Sequence, residues 1–104
     1  MYEVKVSNTA CSHLRFLMRS IALKDKETAR NCAQQICLNL RALGQGNPNE
    51  FYYLNAQGIQ ENKYHQMLIA DRFLAIFYLD GKTVYVDYVL DLQTEYEWLN
   101  NGVY

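Results

Sequence analysis

The chain has 104 residues, of which half are hydrophobic and a fifth are charged, with one proline and five glycines. This composition excludes a disordered tail, a collagen-like fibre and a low-complexity linker. The length fits one domain, which we expect to span residues 1–104. The longest apolar stretches, such as residues 73–79, are far shorter than the roughly 20 residues that a membrane span needs.

The net charge of −1 is unevenly distributed along the chain. Residues 1–43 carry seven basic and three acidic side chains, whereas residues 44–104 carry three basic and eight acidic ones. A basic half can attract a polyanion or an acidic partner, but two solvated helix faces give the same pattern. Charge alone therefore does not decide the function.

The first six residues have no apolar core and no small-residue cleavage site, so they do not resemble a secretion signal, and we expect a cytoplasmic protein. The three cysteines make an odd number that cannot pair completely. Cys11, Cys32 and Cys37 all fall in predicted helices, and the last two lie about 140° apart around one helix, which is unfavourable for sharing a metal. We predict buried free thiols.

The first half of the chain predicts one strand and two helices. Residues 2–6 alternate as a half-buried strand does, and residues 7–9 then supply a helix cap. A second helix follows a short break, with Asp25 as its cap, and ends near Gly44, so the two helices should form an antiparallel hairpin. Their apolar positions are Ala10, Leu14, Leu17 and Ile21, then Ala29, Ala33, Ile36, Leu40 and Leu43.

The second half changes to the period of strands. Asp80 and Gly81 form the clearest hairpin signal, and we expect both at the central, positive-φ positions of the turn. Residues 51–54 fit either a short strand or an irregular bridge. In chain order the predicted elements are strands over 64–69, 73–79 and 83–90, the second of them central, and a helical turn over 94–100 that folds Trp98 onto the sheet.

Helices that are segregated from a run of antiparallel strands indicate the α+β class. The predicted fold has an N-terminal strand, an antiparallel helix hairpin packed on one face of a mostly antiparallel sheet, and a short C-terminal helix. The other face of the sheet is expected to carry polar groups and to be available for binding.

The common catalytic motifs are absent: there is no Gly-rich phosphate loop, no HExxH, no CxxC pair and no G-x-S-x-G. The only histidines are His13, which fits the surface or boundary of a helix, and His65, in a predicted strand. We therefore expect no metal and no other cofactor.

The residues that could carry chemistry are Lys63, His65 and Arg72. Alternate residues of a strand share a face, so Lys63 and His65 should point the same way. If Arg72 opens the next strand beside them, the three form a compact cationic group with one titratable member. Cations stabilise the charge that develops on a phosphate, and an imidazole can move a proton. Nearby aromatic residues, namely Tyr64, Tyr96 and Trp98, are candidates for base stacking.

The same residues have a purely structural interpretation. Lys63 and Arg72 would be charges that keep edge strands soluble, and His65 would fill space between strands.

Four features occur together in this chain: the order strand–helix–helix–three strands, the arginine that opens the middle strand in residues 71–78, the Asp-Gly turn and the segment 86–91. In this combination the chain resembles, over essentially its whole length, the RelE/ParE toxin superfamily. Residues 62–67 and 95–99 are similar to a group of short toxins in that superfamily, and the resemblance is specific over residues 62–99.

This resemblance implies a bacterial type II toxin that a co-expressed antitoxin holds inactive. RelE-like members cleave mRNA in the ribosomal A site without metal, since the ribose 2′-hydroxyl attacks the adjacent phosphate to give a 2′,3′-cyclic phosphate. By resemblance, Arg72 stabilises the phosphate, His65 transfers a proton, Lys63 binds phosphate and Tyr96 stacks on a base. The implied partners are the antitoxin, the ribosome and mRNA.

One position departs from the pattern of the superfamily. Many relatives carry a second arginine two residues after the aspartate that follows the last strand, and Gln93 stands there in this chain. Glutamine can hydrogen-bond a phosphate but adds no charge to stabilise a transition state. Two alternatives therefore remain beside the endoribonuclease: a ParE-like inhibitor of DNA gyrase without nuclease activity, and an inactive relative that only binds a partner.

Overall fold

The structure is a computed structural model, and it describes residues 1–55 and 62–94. The elements are β1 (Glu3–Val6), α1 (Asn8–Lys24), α2 (Lys26–Gln45), a 3-10 turn (Pro48–Glu50), β2 (His65–Ile69), β3 (Phe73–Asp80) and β4 (Thr83–Asp91). The α+β prediction is confirmed. Residues 92–94 are helical, and the rest of the predicted C-terminal helical turn, with Tyr96 and Trp98, lies outside the described residues.

Both predicted helix caps are confirmed. The Ser7 hydroxyl accepts a hydrogen bond from the backbone N–H of Ala10 at 3.0 Å. The Asp25 carboxylate accepts from the backbone N–H groups of Glu27 and Thr28 at 3.0 and 3.4 Å. Because each cap satisfies donors that a helix leaves free at its start, α1 can end and α2 can begin around the single residue Asp25.

The sheet has the strand order β1-β4-β3-β2, with β1 parallel to β4 and the other pairs antiparallel. The strand predicted as central, β3, is an inner strand, and its first five residues are buried. The segment 51–54 proves to be a short bridge along the edge of β2. Tyr53 pairs with His65, and the backbone N–H of Leu54 donates to the Tyr64 carbonyl at 2.7 Å.

The two faces of the sheet carry separate apolar clusters. The helix hairpin covers one face, which buries aromatic and β-branched residues including Phe73, Phe77 and Val86. The outer face was predicted to be polar and open, and this is wrong for part of it. Leu74, Ile76 and Leu90 are buried there together with Leu54, which folds over them from the bridge segment.

A β-bulge in β4 changes which of its residues face the helices. Phe77 pairs with Val86 and Ile76 with Tyr88, so Asp87 is left as an extra residue. Alternate residues of a regular strand share a face, and one extra residue reverses that alternation beyond it. Past the bulge, Val89 faces the helices. Asp91 shares that face, because it pairs with Phe73.

The second hairpin turn of the sheet, between β3 and β4, differs from the expected geometry. Asp80 pairs with Thr83, so the central residues of the second turn are Gly81 and Lys82, and of the two only Gly81 has a positive φ, of 61°. The prediction that Asp80 occupies a central position is therefore wrong by one residue. Glycine at the first central position is the pattern of a type II′ turn, which suits the right-handed twist of the strands.

The turn between β2 and β3 contains two non-glycine residues with positive φ, Ala70 at 54° and Asp71 at 55°. The backbone N–H of Arg72 closes this turn on the Ile69 carbonyl at 3.1 Å. A left-handed conformation costs an L-residue about 1–2 kcal/mol, so the turn stores strain immediately before Arg72.

All three cysteines are free, as predicted, but none of them is fully buried. Cys11 and Cys32 are half-buried and Cys37 is exposed, so the expectation of buried thiols is wrong. Neither α1 nor α2 is long and apolar enough to cross a membrane, and the same holds for the rest of the described chain.

Candidate functional site

The β2–β3 hairpin separates the residues that the sequence grouped together. Arg72 lies in the turn at one end of the hairpin, and His65 lies at the other end, paired with Phe77. Phe77 lies four residue steps along β3 from Phe73, the residue next to Arg72, which amounts to about 13 Å along the strand. The compact group of Lys63, His65 and Arg72 is therefore not formed.

At the turn end, Arg72 is held by a buried carboxylate. Its Nε and Nη2 donate to the two oxygens of Asp91 at 3.1 and 2.8 Å, and the side chains are 19% and 2% exposed. These hydrogen bonds raise the pKa of Arg72 above its ordinary value. The Arg72 carbonyl also accepts from the backbone N–H of Leu92 at 2.9 Å. Side chain and backbone together tie the turn to the end of β4.

This ion pair borders a groove of about 460 Å³ between the sheet and the tip of the helix hairpin. Gln93 lines the same groove, so the structure does bring Arg72 and Gln93 together. The backbone N–H of Gln93 donates to Asp91 Oδ1 at 3.0 Å. Asp91 thus fixes both residues, and the sequence analysis missed it. The available signal was an acidic residue at the end of an apolar strand.

At the other end of the hairpin, His65 is buried, with 4% of its surface exposed. Its ring stacks between those of Tyr53 and Phe77, with centroids 4.4 and 5.3 Å away. Its Nδ1 lies 2.8 Å from the Phe51 carbonyl oxygen. A carbonyl only accepts hydrogen bonds, so Nδ1 carries a proton, and in the neutral ring Nε2 is left as an acceptor.

Lys63 precedes β2 and lies on the outer side of the sheet. Its Nζ is 4.7 Å from the centre of the Tyr78 ring and 5.1 Å from that of Tyr64. Tyr64, predicted as a stacking residue, donates its hydroxyl to Asp87 at 2.7 Å and packs edge-on against Tyr78. Burial and the neighbouring carboxylate raise the pKa of Tyr64 above its ordinary value.

Lys63 and His65 line one cavity of about 520 Å³ at the edge of the sheet, which we call the edge cavity. Its other lining residues are Asn49, Tyr53, Asn62, Tyr78, Leu79 and Asp80. The prediction that Lys63 and His65 point the same way is wrong, because His65 pairs with Phe77 on the helix side of the sheet and Lys63 lies over Tyr78 on the other side, although both line this cavity. Tyr96, the remaining predicted site residue, lies outside the described residues.

A third concave surface, which we call the helix groove, lies between α1 and α2. Its floor is apolar and its volume is about 390 Å³. Arg15 and Arg19 line it from α1. The remaining lining residues are Leu14, Met18, Ala33, Ile36 and Cys37.

The chain was compared with known families and structures. No protein-family model matches it, and no curated protein matches it. It is similar to a chain of the solved structure described as the chromosomal ParDE TA system from P. aeruginosa, with a TM-score of 0.69 and 18% identity. The match covers 88% of this chain and 96% of the other. At this identity the likeness establishes the fold: the chain has the α+β fold found in that ParDE structure.

Proposed function

We propose that this protein is the toxin of a toxin–antitoxin system and that it acts by binding a protein target. The observation that carries the second part is the separation of Arg72 from His65 and Lys63 by the length of the β2–β3 hairpin. The ParDE fold and the sequence resemblance support the first part. DNA gyrase is the target that the resemblance supplies.

The Arg72 contacts argue against a role as a phosphate clamp. Two of its five N–H donors and its charge are already matched by Asp91, which is itself buried. A phosphate would have to compete with that carboxylate for the same guanidinium. Gln93 adds no second cation beside it. A toxin that binds a protein target does not need positive charge available for a phosphate. The pairing of Arg72 with Asp91 is therefore compatible with that mode of action.

RNA cleavage, the activity first implied by the sequence resemblance, remains a prediction. It requires a cation and a proton-transfer group within reach of one phosphate, and effective catalysis depends on placement within a few ångströms. Arg72 and His65 are too far apart along β3 to share one phosphate. A nuclease built on this chain would have to use the edge cavity without Arg72.

The helix groove is the surface that best fits the antitoxin. Apolar side chains on its floor can receive the apolar face of an amphipathic segment, as in helix-in-groove recognition. Arg15 and Arg19 on its wall favour a segment with acidic residues beside that apolar face. The excess of basic over acidic residues in the first 43 positions also favours an acidic partner.

The mode of action is tested with a charge-free version of the ion pair. The double variant Arg72→Gln/Asp91→Asn removes both charges and keeps amide groups that can hydrogen-bond. It is expected to arrest growth like the unmodified chain, to block supercoiling by purified gyrase and to leave mRNA 5′ ends unchanged. New mRNA 5′ ends that disappear in the double variant would establish the nuclease instead. If expression of the unmodified chain leaves growth unaffected, the toxin assignment fails.

The antitoxin surface is tested with charge reversals of equal size. The double variant Arg15→Glu/Arg19→Glu is expected to weaken binding of the protein encoded beside this gene by about tenfold or more, since like charges then face each other. The double variant Arg30→Glu/Arg41→Glu changes two exposed arginines of α2 outside the groove and serves as control. Equal losses in both variants, measured by calorimetry, would show general charge attraction and contradict docking in the groove.

A further inference from the structure

We infer that the edge cavity is a binding site for a small organic anion that also carries a hydroxyl group, with a sugar phosphate as the simplest representative. This inference does not depend on the proposed function. It rests on the buried imidazole of His65, whose Nδ1 is hydrogen-bonded to a backbone carbonyl and whose Nε2 has no hydrogen-bond partner among the described residues. It also rests on Lys63, whose ammonium group lies over two tyrosine rings.

The tautomer of the neutral His65 ring is set before any ligand arrives. The Phe51 carbonyl takes the Nδ1 proton, and Tyr53 and Phe77 cover the two faces of the ring. No group of the described chain hydrogen-bonds Nε2, although the residue is more than nine-tenths buried. The Nε2 edge is therefore the part of the ring that is left to line the cavity. As an acceptor it is suited to a hydroxyl donor.

Lys63 supplies the positive charge of the site. Its ammonium group lies over Tyr64 and Tyr78, and contacts of this kind attract a cation to the ring face and restrict its movement. A positioned ammonium is a donor for an anion and binds phosphate as a point charge. Described residues of the cavity include one further charge, that of Asp80. A carboxylate there disfavours a second anionic group and accepts from hydroxyls.

The combination selects for a ligand class. An anion without a hydroxyl would displace water from Nε2 without replacing its hydrogen bond. A neutral polyol would do the same at the Lys63 ammonium group, and each loss weakens binding. The volume of about 520 Å³ lies in the range of small-molecule sites. A free sugar phosphate has both groups in a molecule of suitable size.

The test is a titration of the full chain with ribose 5-phosphate, followed by NMR of the His65 ring nitrogens. Binding is expected to shift the Nε2 resonance and to leave Nδ1 protonated. Ribose and inorganic phosphate each supply one of the two groups and are expected to bind about tenfold more weakly or worse. Equal binding of inorganic phosphate, or no shift of Nε2 with any of the three compounds, would overturn the inference.

Two variants report on the site without removing the ring that packs in the core. Lys63→Met keeps the side-chain length and is expected to weaken ribose 5-phosphate binding by about tenfold. Lys82→Met is the matched control, because Lys82 also lies over a tyrosine ring, that of Tyr2 at 5.7 Å, but does not line the cavity. Equal losses in both variants would contradict the site. Tighter binding of a 5′-phosphorylated RNA oligonucleotide than of ribose 5-phosphate would overturn the assignment to a small molecule.

Discussion

The ionisable side chains at the two ends of the β2–β3 hairpin differ in how many of their polar atoms are already hydrogen-bonded within the protein. At the turn end, Arg72 gives two hydrogen bonds and its charge to the buried Asp91. At the far end, His65 gives one nitrogen to a backbone carbonyl and keeps the other beside a cavity. The sequence made Arg72 and His65 equal candidates for chemistry. The contacts distinguish them, because a side chain can bind a ligand only through polar atoms that are not already hydrogen-bonded within the protein.

The largest effect is expected from removing the arginine of the ion pair. Arg72→Ala leaves the Asp91 carboxylate buried without its partner, which should reduce the free energy of unfolding by about 3 kcal/mol. Lys63→Ala removes a cation from the other end and should cost less than about 1 kcal/mol. Urea unfolding of both variants measures the difference. Similar losses of unfolding free energy in the two variants would contradict the difference between the two ends of the hairpin.

This result also governs how toxicity experiments are interpreted. If Arg72→Ala unfolds the protein, loss of toxicity in that variant says nothing about catalysis. The neutral double variant Arg72→Gln/Asp91→Asn avoids this, since no charge is left buried without a partner.

The next largest effect is expected at Gly44, near the end of α2, where the helix passes close to the start of β1. A Cβ at this position would lie 2.7 Å from Val4 Cγ2 and 2.8 Å from the Tyr2 carbonyl oxygen. Gly44→Ala should therefore cost about 2 kcal/mol through overpacking, in part against backbone that has little room to move. Gly46→Ala is the control, because its nearest contact is 3.4 Å from the Ala42 carbonyl. Thermal unfolding that ranks the two variants equally would contradict the close approach.

A smaller effect with a pH signature is expected at Tyr64. The pKa of this phenol is raised in the native state, so the neutral form is favoured by folding. The stabilisation is complete below the ordinary tyrosine pKa of about 10 and is lost as the pH rises beyond it. Tyr64→Phe should cost about 1 kcal/mol at pH 8 and flatten the loss of stability above pH 10. Identical slopes for the two proteins in alkaline urea titrations would contradict this.

The smallest effect, and the only stabilising one, is expected in the strained turn. Ala70→Gly relieves the strain of a left-handed L-residue in the folded state but raises the conformational entropy of the unfolded chain. The free energy of unfolding is therefore expected to increase by about 0.5 kcal/mol. Because this turn presents Arg72 to Asp91, the variant also tests whether strain helps to hold the ion pair. A decrease in stability would show that Ala70 makes contacts worth more than its strain.

The sequence predicted what is local and missed what depends on distant pairing. Helix caps at Ser7 and Asp25 and the central position of β3 follow from short-range chemistry and from runs of apolar residues. The pairing of Arg72 with Asp91 links two residues that lie 19 positions apart. It depends on the register of β3 against β4, which no short segment determines. The position of Gly81 in its turn was missed for the same reason, since that register decides which residues are central.

The bulge at Asp87 decides which face of the sheet the last segment of β4 presents. Residues before it and after it follow the strand alternation in different phases, and only the second phase brings Asp91 to the same face as Phe73 and next to Arg72. If β4 paired regularly at its present length, Asp91 would turn toward the outer face, whereas loss of the Asp87 codon would remove the extra residue and leave Asp91 opposite Phe73. A related chain that is one residue shorter between the Asp-Gly turn and this aspartate can therefore form the same ion pair, and one of equal length forms it only if the bulge is kept.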